Sequence, residues 1–160
     1  MNEVVLITGA AGGIGQAICE RMIARGMRLA LLDIDAARLQ ALAERLGEQA
    51  CAFALDLTDQ AALSGVLAQI EARFGRLDIL INNAAVAHVE AFDERSVESI
   101  VSELNINLIA PLVLTRLAIP LLRRSADARV ISTVSLGGIF PLPETPIYAA
   151  SKFGVVGITQ

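Results

Sequence analysis

Tyr148 and Lys152 stand one helical turn apart in Tyr148-Ala149-Ala150-Ser151-Lys152, so a helix there would carry both on one face. A tyrosine with the usual pKa of about 10 is a poor base at neutral pH, whereas a neighbouring ammonium favours its phenolate. Bringing such a phenol to about 7 takes roughly 4 kcal/mol of differential stabilisation. The two side chains are therefore candidates for moving a proton at an oxygen atom. An ordinary surface tyrosine–lysine helix pair is the alternative. Upstream, Pro111 has no N–H, so the carbonyl of Asn107 loses its helical partner. A freed carbonyl facing a cleft can hold a water, which we expect to serve a proton relay ending at Lys152. A proline kink that serves packing alone is the other reading.

A second chemistry lies in Val4-Val5-Leu6-Ile7-Thr8-Gly9-Ala10-Ala11-Gly12-Gly13-Ile14-Gly15. The apolar run Val4–Ile7 suits a strand buried on both faces of a parallel sheet. After Gly15 the period turns helical, with Ile14, Ile18 and Met22 on one stripe and Gly26 available as a stop. A strand, a glycine turn and a helix put unpaired N–H groups where the helix dipole favours a phosphate. Gly9 permits the tight turn, Gly13 lets the backbone approach a pyrophosphate, and Gly15 allows close packing of helix and strand. A tight turn that holds nothing is the alternative.

The elements that must position these groups alternate along the chain. Arg28–Leu32 reads as a second strand ending at Asp33, whose carboxylate would accept hydrogen bonds from ribose hydroxyls and repel a 2′-phosphate. That favours NAD over NADP. Asp33 as a mere helix cap is the alternative, although Asp35 could do that capping instead. Leu39, Leu42, Ala43 and Leu46 form a helix closed by Gly47, and Ala50–Leu55 a third strand followed by Asp56-Leu57. Thr58 or Asp59 can cap a helix striped by Leu63, Val66, Leu67, Ile70 and Phe74 and ended by Gly75. Leu77–Ile81 is a fourth strand running into Asn82-Asn83-Ala84-Ala85, two amides able to brace the glycine turn and border a cleft. His88, in the loop beyond, reads as solvated or loop-packing. Ser96–Arg124 is one or two helices, Arg129–Val134 a fifth strand with Ser135 at its end, and Pro146 starts the helix of Tyr148. This alternation predicts an α/β Rossmann-type doubly wound parallel sheet with strand order 3-2-1-4-5.

At 160 residues the chain is long enough for one domain with a sizeable core, and 54% hydrophobic residues suit a sheet covered on both faces. A net charge of -4 and a pI near 5.0 leave no electrostatic footprint for nucleic acid or an anionic membrane. Cys19 and Cys51 lie in apolar contexts without a CxxC or histidine cluster, so we expect buried thiols and no metal site. The first strand starts too early to leave room for a signal segment, and the expected location is cytoplasmic. The most membrane-like stretch, Ile106–Leu122, is interrupted by Asn107, Thr115, Arg116 and two prolines, which suits a buried helix.

The Gly-x-x-x-Gly-x-Gly spacing after Thr8, with Asn107, Ser135, Tyr148 and Lys152 following in order, resembles the short-chain dehydrogenase/reductase family along the whole chain. The resemblance implies that Tyr148 is the general acid/base, Ser135 steadies the substrate oxygen, and Asn107 anchors the relay. Lys152 would bind the nicotinamide ribose and lower the tyrosine pKa, and Tyr148 would also contact the cofactor. It implies NAD contacts at Gly9, Gly13, Ile14, Gly15 and Asp33, with Asp56 and Leu57 against the adenine and Asn83 and Ala84 beside the cleft. Gly12 and Ile34 occupy places where NADP-using members often carry a basic residue. Ala85 replaces the glycine of the usual Asn-Asn-Ala-Gly. The implied reaction is reversible hydride transfer between a secondary alcohol and NAD.

Family members continue for roughly another 80 to 100 residues, so an NAD-binding domain lacking its last strands and substrate lid is expected. The fifth strand would then be an uncovered apolar edge. The usual helix-bundle homo-oligomer, built on Ile106–Leu122 and the helix reaching Gln160, would be compromised. An NAD-dependent alcohol dehydrogenase or carbonyl reductase and a non-catalytic dinucleotide-binding fragment or interaction module both stay open. His88, Leu136, Ile139 and Leu142 are candidate substrate contacts.

Overall fold

The computed structural model describes residues 3–159. Among them, strands β1 (Val4–Thr8), β2 (Arg28–Asp33), β3 (Ala50–Ala54), β4 (Ile79–Asn82) and β5 (Arg129–Ser132) pair in parallel in the order β3-β2-β1-β4-β5. This is the expected order. Helices α1 (Gly13–Ile23), α2 (Ala36–Leu46), α3 (Gln60–Phe74), α4 (Val97–Leu104), α5 (Ala110–Leu122) and α6 (Pro146–Ile158) occupy the crossovers and the region after β5.

Strand periodicity divides the apolar side chains between two layers. Val4 and Leu6 of β1, with Ala30 and Leu32 of β2, pack on α3 and on Leu114, Ala118, Leu121 and Leu122 of α5. Val5 and Ile7, with Leu29 and Leu31, face Cys19 of α1 and Leu39 and Leu42 of α2. Both faces of the central strands are thus buried, as uninterrupted β-branched and leucine runs require. Asp59 caps α3 and Asp35 caps α2, each accepting a backbone N–H of its first turn. Asp35 therefore does the capping that could have fallen to Asp33.

Several boundaries differ from the sequence reading. β5 ends at Ser132 rather than Val134, because the next carbonyl, that of Thr133, accepts a hydrogen bond from Lys152 Nζ at 2.8 Å. β4 starts at Ile79 rather than Leu77; the carboxylate of Asp78, fully buried, accepts from Val4 N at 2.8 Å and from Ser125 Oγ at 2.5 Å. The Ser96–Arg124 segment is a continuous helical run broken in its middle by a π turn, Asn105–Ile109, just before Pro111. It is long and apolar enough to cross a membrane by length and composition alone, and its Leu114, Ala118 and Leu121 are buried in the first layer. Ile14 leaves the expected core stripe and is 63% exposed at the start of α1. Cys19 is a buried thiol; Cys51 is half-buried because β3 is an edge strand. β5 is the other edge, with Val130 and Ile131 exposed, as expected of an uncovered apolar strand. The expectation for Gln160 lies outside the described residues.

Candidate active site

β1 and β4 end side by side, and their chains part there to open a cleft of about 490 Å³. Thr8, the last residue of β1, is buried, and its hydroxyl oxygen accepts the backbone N–H groups of Asn83 and Ala84, each at 3.0 Å. The Asn83 carboxamide returns the tie, donating to the carbonyls of Thr8 at 3.1 Å and Gly9 at 3.3 Å. Its oxygen accepts from the Thr133 hydroxyl at 3.2 Å. One amide thereby locks the carboxyl ends of three strands. Asn83 braces the glycine turn as the sequence suggested, whereas Asn82, the other amide expected there, donates to Thr115 Oγ1 at 3.0 Å instead; the hydroxyls of Thr8 and Thr133 are not legible in the sequence.

Gly9 has φ +64, and a Cβ on it would lie 2.8 Å from the Ala84 Cα, so both the turn and the close approach of β4 require glycine. At Gly15 a Cβ would meet the Gly9 carbonyl oxygen at 2.1 Å, whereas at Gly13 it would meet nothing within 4 Å. Gly13 opens instead onto the cleft that Gly9, Ile14 and Gly15 also line. Asp33 lines the same cleft, its two oxygens held by Ala11 N at 2.9 Å and Asp35 N at 3.1 Å. Arg38 and Gln16 both donate to the Ala11 carbonyl, at 3.0 and 2.8 Å, which fixes the turn from its outer side. Asp56 accepts from the N–H and hydroxyl of Thr58, both at 2.8 Å, and with Leu57 contributes to the cleft wall.

Tyr148 and Lys152 line the cleft too, with Thr133, Val86, Ala87 and Ile106 among their companions. The helix carries both on one side, as their spacing requires: the ammonium is 5.6 Å from the Tyr148 ring centroid. Lys152 is 3% exposed, and burial pushes its pKa below the usual lysine value. One of its three N–H donors goes to Thr133 O, so two remain.

Asn107 and Ser135 stand outside the cleft lining. Asn107 is 1% exposed within the π turn; its oxygen accepts from Val86 N at 2.8 Å and its amide donates to Val86 O at 2.7 Å. The side chain is thus spent on holding the segment after β4, a role invisible in the sequence. Ser135 accepts from Gly137 N at 3.1 Å, and a Cβ on Gly137 would lie 3.5 Å from Tyr148 Cδ1, so the serine's turn abuts the tyrosine ring.

Sequence reasoning also missed a buried carboxylate. Glu103 of α4 is 0% exposed, and its Oε2 accepts from Arg95 at 2.9 Å and faces His88 Nδ1 at 3.1 Å. Arg95, itself 9% exposed, also donates to Ser99 Oγ at 2.8 Å. The one available signal was a glutamate amid the apolar residues of a helix.

The family model for short chain dehydrogenase matches residues 3–160. D-threitol dehydrogenase of Mycolicibacterium smegmatis is 35% identical over 162 residues, covering 99% of this chain and 62% of that one. Human 15-hydroxyprostaglandin dehydrogenase [NAD(+)] is 34% identical over 167 residues, covering 99% and 60%. A crystal structure of a short chain dehydrogenase/reductase from Burkholderia phymatum in complex with NAD matches with TM-score 0.94 at 28% identity, covering 99% of this chain and 58% of that one. The chain therefore spans a little under two thirds of the length of such relatives. With the match running from the first strand to the last helix over the same strand order and cleft, the chain belongs to the short chain dehydrogenase family.

Proposed function

We propose that this chain supplies the NAD-binding domain and the proton-transfer groups of an oxidoreductase acting reversibly on a secondary alcohol and its carbonyl. The observation that carries the reading is that one cleft has the glycine turn and Asp33 among its walls together with Tyr148 and Lys152. The open space over Gly13 and the N–H groups at the start of α1 suit a pyrophosphate. The Asp33 carboxylate suits ribose hydroxyls and opposes a 2′-phosphate, with neutral Gly12 and Ile34 beside it, which favours NAD over NADP. NAD, when bound, supplies the hydride acceptor or donor.

The chain's own residues handle the proton. In the oxidation direction Tyr148 takes the hydroxyl proton, and in reduction its phenol gives that proton to the oxygen. The two free donors of Lys152 are available to ribose hydroxyls. Ser135 accepts from Gly137 N, which leaves its own O–H free to donate to the substrate oxygen. Asn107, whose side chain is committed to Val86, contributes through its backbone carbonyl as the anchor of a water relay to Lys152. A homo-oligomer built on the exposed sides of α4 to α6, where Val101, Leu112 and Phe153 are exposed, and a cytoplasmic location belong to the same reading. Burial pushes the Cys19 thiol up to about 12, so it stays protonated and unreactive at neutral pH.

The test is NADH-linked reduction of a carbonyl panel by the chain and by Tyr148→Phe, beside NADH titrations of both. The expected result is retained NADH binding with turnover lowered at least about 100-fold by the substitution. Wild-type NADH binding without any turnover assigns the chain to dinucleotide binding alone.

A further inference from the structure

Thr133 follows β5 and lines the cleft, and each of its polar groups is engaged. Its N–H donates to Asn82 O at 2.9 Å, one residue past the last strand pair, Asn82 with Ser132. Its hydroxyl donates to Asn83 Oδ1 at 3.2 Å, and its carbonyl accepts from Lys152 Nζ at 2.8 Å. Two of the three bonds tie the residue to the end of β4, and the third reaches across to α6.

The backbone does not account for the hydroxyl. Valine has the same branched shape and suits the end of a strand as well, and the N–H and carbonyl bonds are open to any residue but proline. What the hydroxyl adds is a link to the Asn83 carboxamide, whose amide donates to the carbonyls of Thr8 at 3.1 Å and Gly9 at 3.3 Å. A hydrogen-bonded path then runs from the Gly9 carbonyl through Asn83 and Thr133 to the Lys152 ammonium, and both of its ends line the cleft. Lys152 needs such an anchor, because its ammonium rides on a flexible four-carbon stem whose rotamer freedom the helix alone does not remove. The ammonium is anchored only as well as the Thr133 carbonyl is held.

We propose that Thr133 is a positioning residue for proton transfer: its hydroxyl, by bonding Asn83, holds the carbonyl that anchors the Lys152 ammonium at a fixed place relative to the glycine turn. A dinucleotide on that turn and the ammonium that would meet its ribose are thereby set in one frame. The effect on turnover rests on the oxidoreductase reading above, whereas the hold on the ammonium does not.

Lys152 is the chain's one lysine, so its ¹⁵Nζ resonance, read through the ε-methylene protons, needs no further assignment. Thr133→Val removes the hydroxyl and keeps the shape. It is expected to shift that resonance, to lower kcat for NADH-linked carbonyl reduction about fivefold, and to leave KM for the substrate within about twofold. Thr133→Ser keeps a hydroxyl and is expected to return the resonance and most of kcat. Thr115→Val is the control, because it removes a hydroxyl on α5 that is bonded to Asn82, at 3.0 Å, rather than to Asn83. That variant is expected to lower Tm with the Lys152 resonance in place and kcat within about twofold of wild type. A Lys152 resonance that Thr133→Val leaves unmoved overturns the proposal, as does a kcat loss that Thr133→Ser fails to restore or that Thr115→Val reproduces. If the wild type reduces no carbonyl, the oxidoreductase reading fails while the resonance still decides whether the hydroxyl anchors Lys152.

Discussion

Replacing Gly13 by alanine separates the glycine turn's two duties, folding and phosphate binding. A Cβ at Gly13 meets no atom within 4 Å, and the residue opens α1, so the methyl group fits without strain. Alanine in place of glycine favours helix by about 0.5–1 kcal/mol. In a domain of this size that raises Tm by about 1–4 °C. The same methyl stands in the cleft where a pyrophosphate would approach the backbone. Loss of one charge-assisted N–H contact costs about 1.5–3 kcal/mol, or roughly 10- to 150-fold in Kd. Gly15→Ala is the control, because its Cβ would sit 2.1 Å from the Gly9 carbonyl and 2.8 Å from the Ala10 Cα. That variant will lose both stability and binding. The assays are thermal melts and NADH fluorescence titrations of the wild type and both variants. Wild-type NADH affinity in a Gly13→Ala protein whose Tm is unchanged or higher would refute a phosphate at this turn.

Thr8→Val keeps the shape of β1 but strands the N–H groups of Asn83 and Ala84; the expected loss is about 2–4 kcal/mol, read as a lower midpoint in urea unfolding, together with weaker NADH binding. For Asp78, burial raises the pKa, but hydrogen bonds from Arg76, Ser125 and Val4 N outweigh it and hold the carboxyl below its ordinary value. A carboxyl with a lowered folded pKa stabilises fully above its unfolded value and loses that contribution as pH falls through the folded one. Asp78→Asn will therefore cost about 2–3 kcal/mol at pH 7, and the gap from wild type will narrow below about pH 4 in urea unfolding. An equal gap at both pH values would assign the loss to shape rather than charge.

Local rules were enough for the α/β alternation and most of the cleft, because each depends on a short window of chain, and the handedness of parallel crossovers carried that alternation to the strand order. Val4–Ile7 needs only its unbroken apolar run to read as a doubly buried strand, and the glycines need only their spacing to read as a phosphate turn. Tyr148 and Lys152 were legible for the same reason: a helix of any context puts them on one side. What only the tertiary structure decided involves partners far apart in the chain. Asn83 became the tie of three strand ends because the fold brought Thr8 and Thr133 to it. Asn107 turned its amide to Val86 because the π turn before Pro111 aims it there, and Thr133 ended β5 by giving its carbonyl to Lys152. Glu103 gained His88 and Arg95 as partners only when the 88–95 loop folded back onto α4. Periodicity and turn chemistry are properties of neighbours in sequence, whereas the partner of a buried polar group is chosen by whatever the packed backbone brings within about 3 Å of it.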